Sequence, residues 1–254
     1  MSLDSVIEAN ELSVVLQPQF DAQGKAVASE ALVRWQHPTE GLIPPDDFIP
    51  IAEETNLILD IDEWVIREVA RQQCQWKKSQ LPLYPISINI SAANISRPSL
   101  VSTFAEILQQ QPFLEGLLQV EVTETAMMLD PDNATLTLNS LFSMGVPSSI
   151  DDFGSGYTSL GYLKKLNANI LKIDRSFISG ITLDNYDRDV AKAIIALASS
   201  MSMKVVAEGV ETHEQWDMLR IFGCDYLQGF YFNRPLNGQK MTQILADKQK
   251  LLHG

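Results

Sequence analysis

Ile170-Leu171-Lys172-Ile173-Asp174 is a short apolar run closed by charge, and the same ending recurs along the chain. Upstream stand Val27-Ala28-Ser29-Glu30-Ala31-Leu32, Ile86-Ser87-Ile88-Asn89, Leu118-Gln119-Val120-Glu121-Val122-Thr123-Glu124 and Ser149-Ile150-Asp151-Asp152. Downstream follow Val205-Val206-Ala207-Glu208 and Tyr226-Leu227-Gln228. The runs read as strands, and helical patterns lie between them. Polar groups at successive strand ends, with helices between the strands, build one site at the carboxyl face of a parallel sheet or barrel. A stable core needs no acid there; a metal site does.

The alternation extends through the chain without a linker or low-complexity stretch. Strands are expected near 13–19, 27–34, 84–91, 118–124, 146–152, 169–174, 204–209 and 225–229. Helices are expected over 47–54, 60–78, 99–110, 132–144, 159–166, 187–201 and 213–222, with a closing helix over 239–251. In the 60–78 segment Ile61, Trp64, Val65, Glu68, Val69 and Gln72 fall at helical spacing. Gly145 and Gly223 stand just past helices, where a left-handed cap favours glycine. Asp21-Ala22-Gln23-Gly24-Lys25 is too short for a crossover helix, so the first two strands should pair as an antiparallel hairpin. The predicted fold is α/β, a modified TIM-like (β/α)8 barrel with an antiparallel first strand. An open doubly wound sheet is the alternative, but no G-x-G-x-x-G follows the first strand.

Length and composition agree with one domain over 1–254, its core at about 11–240. The chain has 254 residues, 45% hydrophobic and 20% charged, as a single core-forming barrel has. A net charge of −13 argues against a nucleic-acid polymer or an anionic membrane as partner. Cys74 and Cys224 form no motif and are expected as reduced core residues. Met1-Ser2-Leu3-Asp4 lacks a basic leader and no apolar stretch is long enough to span a bilayer, so a cytoplasmic setting is expected. The full-length protein could still be anchored through a segment outside this chain.

Glu30, Glu121, Asp151, Asp152 and Glu208 would converge on one barrel mouth. Two carboxylates about 4 Å apart repel by roughly 4 kcal/mol at an effective dielectric near 20. One ammonium, Lys172, is too little compensation for five acids, so divalent cations are expected. Carboxylates with the amide oxygen of Asn89 form an all-oxygen set suited to Mg²⁺ or Mn²⁺. His37, His213 and His253 are not expected at strand ends, which argues against zinc. Neighbours on a strand face opposite ways, so Asp151 and Asp152 share a site only if the strand stops there; Gly154 and Gly156 suggest that it does. Two cations about 3.5–4 Å apart clamp the attacking and leaving oxygens of a phosphoryl displacement. The same repulsion predicts that losing Glu30 leaves the metal-free fold as stable, or slightly more so. Taken singly, each strand-end acid is as well explained as a solvated rim residue, and Gly154-Ser155-Gly156 as a turn; joint occurrence on six strands favours the site.

At these residues the chain resembles the EAL-domain family of cyclic di-GMP phosphodiesterases. Glu30-Ala31-Leu32-Val33-Arg34-Trp35 is the naming motif, with Gln17-Pro18 before it and Phe48-Ile49-Pro50-Ile51-Ala52-Glu53 after it. Asn89-Ile90-Ser91, Glu121-Val122-Thr123-Glu124, Asp151-Asp152-Phe153-Gly154-Ser155-Gly156-Tyr157, Leu171-Lys172-Ile173-Asp174, Ala207-Glu208-Gly209-Val210-Glu211 and Gln228-Gly229 follow in order. The resemblance implies that Glu30, Asn89, Glu121, Asp151, Asp152 and Glu208 hold two metals, Asp151 bridging them. It implies that Lys172 positions the attacking water, with Gln228 at the same site. Gln17, Leu32, Arg34, Asp62, Glu211 and Gln228 match substrate contacts. The fork of Arg34 suits a phosphate oxygen, and Asp62 or Glu211 suits a guanine edge. Glu124 matches the anchor of the 152–160 loop, which in the family helps form a homodimer. Leu16 stands where an aromatic residue is frequent, and Asn167 and Asn169 where proline and aspartate are frequent.

The implied activity is hydrolysis of one phosphodiester bond of cyclic di-GMP to the linear dinucleotide, with two Mg²⁺ or Mn²⁺ per site. Ca²⁺ is expected to inhibit, because its longer, looser bonds misplace the water. The alternative is a non-catalytic cyclic di-GMP receptor, although family members that only bind lack metal ligands that this chain retains. A magnesium barrel enzyme of the enolate-forming kind fits the acids but not the order of motifs.

Overall fold

The chain turns back on itself almost at once. β1 (Leu12–Asp21) and β2 (Ala26–His37) pair antiparallel, with Gln17 opposite Glu30. The turn between them is closed by Asp21, whose Oδ1 accepts from the N–H of Gln23 and of Lys25 at 3.0 and 2.8 Å. β3 (Gly41–Ile43) folds back on the end of β2.

Helices and parallel strands then alternate. The computed structural model describes residues 6–7, 9–154, 160–163 and 165–243. α1 (Pro45–Glu54) and α2 (Ile58–Lys78) lead to β4 (Ile86–Asn89). α3 (Ala92–Ile95) and α4 (Pro98–Gln110) lead to β5 (Leu118–Thr123). α5 (Glu124–Leu129) and α6 (Pro131–Ser143) lead to β6 (Ser148–Phe153). α7 (Leu160–Leu163) precedes β7 (Ile170–Ile173). α8 (Arg175–Ser179) and α9 (Asn185–Ser200) precede β8 (Lys204–Ala207), and α10 (His213–Phe222) precedes β9 (Tyr226–Leu227) and β10 (Leu236–Asn237).

β2, β4, β5, β6, β7, β8 and β9 are parallel neighbours in that order. β1 lies antiparallel between β9 and β2 and closes the eight strands into a barrel. The expected modified (β/α)8 barrel is the fold observed. β3 and β10 were not expected; they extend the sheet beyond β2 and β1. α2 buries Ile61, Val65, Ile66, Val69, Gln73 and Trp76, while Trp64, Glu68 and Gln72 of the expected face are only half-buried. Residues 238–243 are helical, as expected for the closing helix, and the rest of its 239–251 span lies outside the described residues. Of the expected 159–166 helix, Leu160–Leu163 is helical and residues 165–166 form a turn and bend instead, while 159 and 164 lie outside the described residues.

Strand alternation divides the strands' side chains into two layers. Ile88, Val120, Val122, Ile150, Leu171, Ile173 and Val205 are fully buried in the core, against helical residues such as Phe104, Leu138 and Ala198. Residues of the other parity face the lumen, and there the chain puts Ser87, Asn89, Glu121, Ser149, Asp151 and Lys172. Burial of the apolar layer, at about 1.5–3 kcal/mol per large side chain, offsets the cost of that polar interior.

Candidate functional site

Strand register carries the polar groups around the mouth step by step. Glu30 is level with Ser87, and Asn89 with Glu121, while Thr123 is level with Asp151. From β7 the fully buried Lys172 sends its ammonium into their midst. Its Nζ lies 2.7 Å from Glu121 Oε2, 2.7 Å from Glu208 Oε1, 3.1 Å from Asp151 Oδ2 and 3.6 Å from Glu30 Oε2. Asn89 Nδ2 donates to Glu30 Oε1 at 2.8 Å, and Gln228 Nε2 donates to Glu30 Oε2 at 2.6 Å.

Asp151 and Asp152 both reach this mouth, but not because the strand stops. β6 continues to Phe153, and a bulge interrupts it: Ile150 pairs with Leu171 and Phe153 with Ile173, so three steps oppose two. An extra residue turns consecutive side chains toward one face. Asp152 sits at a positive φ of 54° there, a conformation aspartate tolerates better than β-branched residues do. The oxygens of Asp151, Asp152 and Glu208 lie within 4.8 Å of one another. His37, contrary to expectation, does end a strand. It lies beyond the barrel, however, accepting the N–H of Thr39 and Glu40, and is not part of this cluster.

Burial and mutual repulsion act against ionisation of this ring. Burial, then the charges of Glu30 and Asp151, raises Glu121 to about 7 despite Lys172. Burial and Asp151 and Glu30 also hold Glu208 well above the carboxylate range. Asp152 is raised to about 6 by burial, Asp151 and Asp174, with which it shares a hydrogen bond. Glu30 goes the other way: burial raises it, but Lys172, Gln228 and Asn89 together outweigh burial and lower it. Lys172 is raised well above its ordinary value, since the four surrounding acids outweigh its burial. It is therefore held as an ammonium among these acids, donating to Glu121 and Asp151. A ring of all-oxygen donors that partly retains protons for want of positive charge has the composition that fits divalent cations.

Glu124 does not sit on the strand as alternation suggested. β5 ends at Thr123, whose Oγ1 accepts the N–H of Ala126 and caps α5, so Glu124 is the first residue of that helix. Its carboxylate is buried and accepts the N–H of Gly154 at 3.1 Å. Of the 152–160 loop that Glu124 is expected to anchor, this bond reaches Gly154, and residues 155–159 lie outside the described ones.

A cavity of about 660 Å³ opens beside the mouth, lined by Leu32, Arg34, Asp62, Asn89, Asp151 and Asp152 among others. Gln17, Glu211 and Gln228, the other expected substrate contacts, do not line it. Gln17 is buried against Glu30's strand, and Glu211 is exposed. Asp62 is committed: its Oδ2 accepts from Ser91 N, Ser91 Oγ and Asn94 Nδ2 at 3.0, 2.7 and 3.2 Å, tying α2 to the β4–α3 turn. Burial still raises it to about 6. Gly229 lets β9 pass Val210 closely. A Cβ there would lie 2.0 Å from the carbonyl oxygen of Val210, whose N–H donates to Gln228 O at 3.0 Å. Gln19, Ser91, Asn94 and Asp174 were missed by the sequence reading. Gln19 had a signal, because it lies two residues after Gln17 on the same face of β1.

This fold and acid ring define a class, and comparison with known proteins gives it a name. The profile of the EAL domain matches residues 2–235, and the chain belongs to the EAL-domain family. It is 41% identical over 245 residues to the bifunctional diguanylate cyclase/cyclic di-GMP phosphodiesterase MucR of Pseudomonas aeruginosa, covering 96% of this chain and 36% of that protein. It is 41% identical over 244 residues to the cyclic di-GMP phosphodiesterase NbdA of the same organism, covering 96% and 31%. The chain thus spans about a third of the length of these curated relatives. Among solved structures, the PaMucR phosphodiesterase in complex with c-di-GMP superposes with a TM-score of 0.89 at 41% identity, over 94% of this chain and 97% of that one. An EAL domain protein from Listeria monocytogenes gives 0.84 at 31% identity, covering 96% of each chain.

Proposed function

We propose that this domain is a metal-dependent phosphodiesterase that opens one phosphodiester bond of cyclic di-GMP and releases the linear dinucleotide. The observation that carries the reading is the crowding of Glu30, Glu121, Asp151 and Glu208 within 3.6 Å of one ammonium. Structural stability does not call for such a ring, and phosphoryl displacement does. Family membership and the likeness to a phosphodiesterase solved with c-di-GMP support the substrate. Glu30, Asn89, Glu121, Asp151, Asp152 and Glu208 would hold two Mg²⁺ or Mn²⁺, which supply charge for the attacking, leaving and non-bridging phosphoryl oxygens.

The chain's own groups do the rest. Lys172, fixed as an ammonium, donates a hydrogen bond to the water or to a phosphate oxygen and neutralises charge as it develops. Arg34, at the cavity wall, offers its fork to the second phosphate. Asn89 and Gln228 hold the Glu30 carboxylate in one rotamer through the chemistry. The cavity beside the mouth, with Arg34 and Asp62 both in its lining, is where the ligand would lie. The domain acts as a homodimer in this reading, which α5 supports by leaving Leu129 exposed at the rim of the cavity. No described helix is long and apolar enough to cross a membrane, and this reading keeps the domain in the cytoplasm.

Chromatography of cyclic di-GMP incubated with the protein tests this. Linear dinucleotide should form with Mg²⁺ or Mn²⁺, fail with excess chelator, and be suppressed by Ca²⁺. Tight binding without turnover would make the domain a receptor instead.

A further inference from the structure

Glu30 is held by a chain of amides that begins on β1, the strand paired beside its own. Gln19, on β1, is 3% exposed, and its Nε2 donates to Gln228 Oε1 at 2.9 Å. Gln228, 4% exposed, turns its own Nε2 to Glu30 Oε2 at 2.6 Å. An amide has one donor end and one acceptor end, and an ionised carboxylate only accepts. Gln228 must therefore give Glu30 its NH₂ group, which leaves its oxygen facing Gln19; Gln19 must then present NH₂ as well. The polarity of the whole relay is set by chemistry. If the Gln228 amide were reversed, its carbonyl would confront the Glu30 carboxylate, acceptor against acceptor.

We propose that Gln19 is a positioning residue for Glu30, acting through Gln228. By donating to Gln228 Oε1 it fixes the amide that orients a ligand carboxylate, and so it sets divalent-cation affinity without touching cation or substrate. This rests on the phosphodiesterase reading for its catalytic consequence, but not for its effect on metal binding. Outer partners that orient a ligand are worth on the order of tenfold to a hundredfold in metal affinity. Gln19 stands one residue further out, and about tenfold is expected.

The test is a double-mutant cycle, with Mg²⁺ binding measured by calorimetry in the absence of substrate. Gln19→Met keeps the side-chain length and removes the donor. It should weaken Mg²⁺ binding about tenfold in the unmodified protein. In a Gln228→Met background the same change should move affinity less than about twofold, because the relay is already cut. Equal losses in both backgrounds mean that Gln19 matters only for packing and overturn the proposal; so does no loss in either. Should Gln19→Met fail to fold, the wild-type protein still decides. The side-chain NH₂ resonances of Gln19 and Gln228 should both exchange slowly with solvent, and rapid exchange at Gln19 overturns the relay. A wild type that binds Mg²⁺ but hydrolyses no cyclic di-GMP sinks the functional reading and leaves the cycle valid. One that binds no Mg²⁺ overturns both.

Discussion

At the scale of single residues, the acids of the mouth are not equivalent, and the structure corrects what repulsion alone predicts. Glu30 accepts two amide bonds and is lowered, so its surroundings favour its charge. Glu30→Ala should therefore abolish turnover and also lower the metal-free melting temperature. The lost acceptor leaves the buried Gln228 amide without its partner, at about 1–3 kcal/mol. Circular dichroism melting beside the turnover assay checks both halves; the loss of stability is the outcome that repulsion would not give. Glu121, Asp152 and Asp62 behave in the opposite sense. Their folded-state values, about 7, 6 and 6, lie above the ordinary 4.5 and 3.8 of the unfolded chain. Between those limits the folded protein binds more protons than the unfolded one, so stability falls as pH rises through the window. The metal-free melting temperature should drop from pH 5.5 to pH 7.5. Saturating Mg²⁺ should remove or reverse that slope, because the cation replaces the protons. A metal-free protein that stabilises with rising pH across this range contradicts the shifts.

Elements position these groups, and here the sequence was legible only in part. The strands that end in charge could be found, since alternation and length mark them. The bulge at Asp151 and Asp152 could not. A strand that stops and a strand that bulges both bring consecutive side chains to one face, and the glycines that follow fit either. The same limit hid the start of α5. Thr123 continues the strand alternation and also caps a helix, so Glu124 could be placed on either element until the bond from Thr123 to Ala126 N decided it. The consequence for Glu124 survives the correction. As the first residue of α5 it binds the Gly154 N–H just past the bulge, so it restrains the backbone that carries two candidate ligands. A charge-assisted bond of this kind contributes about 1.5–3 kcal/mol. Glu124→Ala should lower activity at limiting Mg²⁺ by roughly tenfold or more, and raised Mg²⁺ should restore part of it. Kinetics over a Mg²⁺ series give the answer, and a variant with wild-type activity at limiting Mg²⁺ rules the anchor out.

For the whole molecule, the alternation of strand and helix was enough to give the barrel and its antiparallel opening, because the Asp21 to Lys25 connection permits nothing longer than a turn. β3 and β10 escaped because three-residue and two-residue strands carry no periodicity. The Asp152–Asp174 contact and the relay from Gln19 escaped because they depend on which strands lie side by side and in what register, β6 with β7 and β1 between β9 and β2, which sequence order does not give. What the closed barrel adds is convergence: an acid from each of β2, β5 and β6, and one from the turn after β8, meet one lysine from β7. The central claim is that this meeting point holds divalent cations. Anomalous scattering from crystals grown with Mn²⁺ tests it most directly. Manganese peaks are expected within the ring bounded by Glu30, Asn89, Glu121, Asp151, Asp152 and Glu208. Manganese elsewhere, with the Lys172 ammonium still bonded to an undisturbed ring of acids, would contradict it.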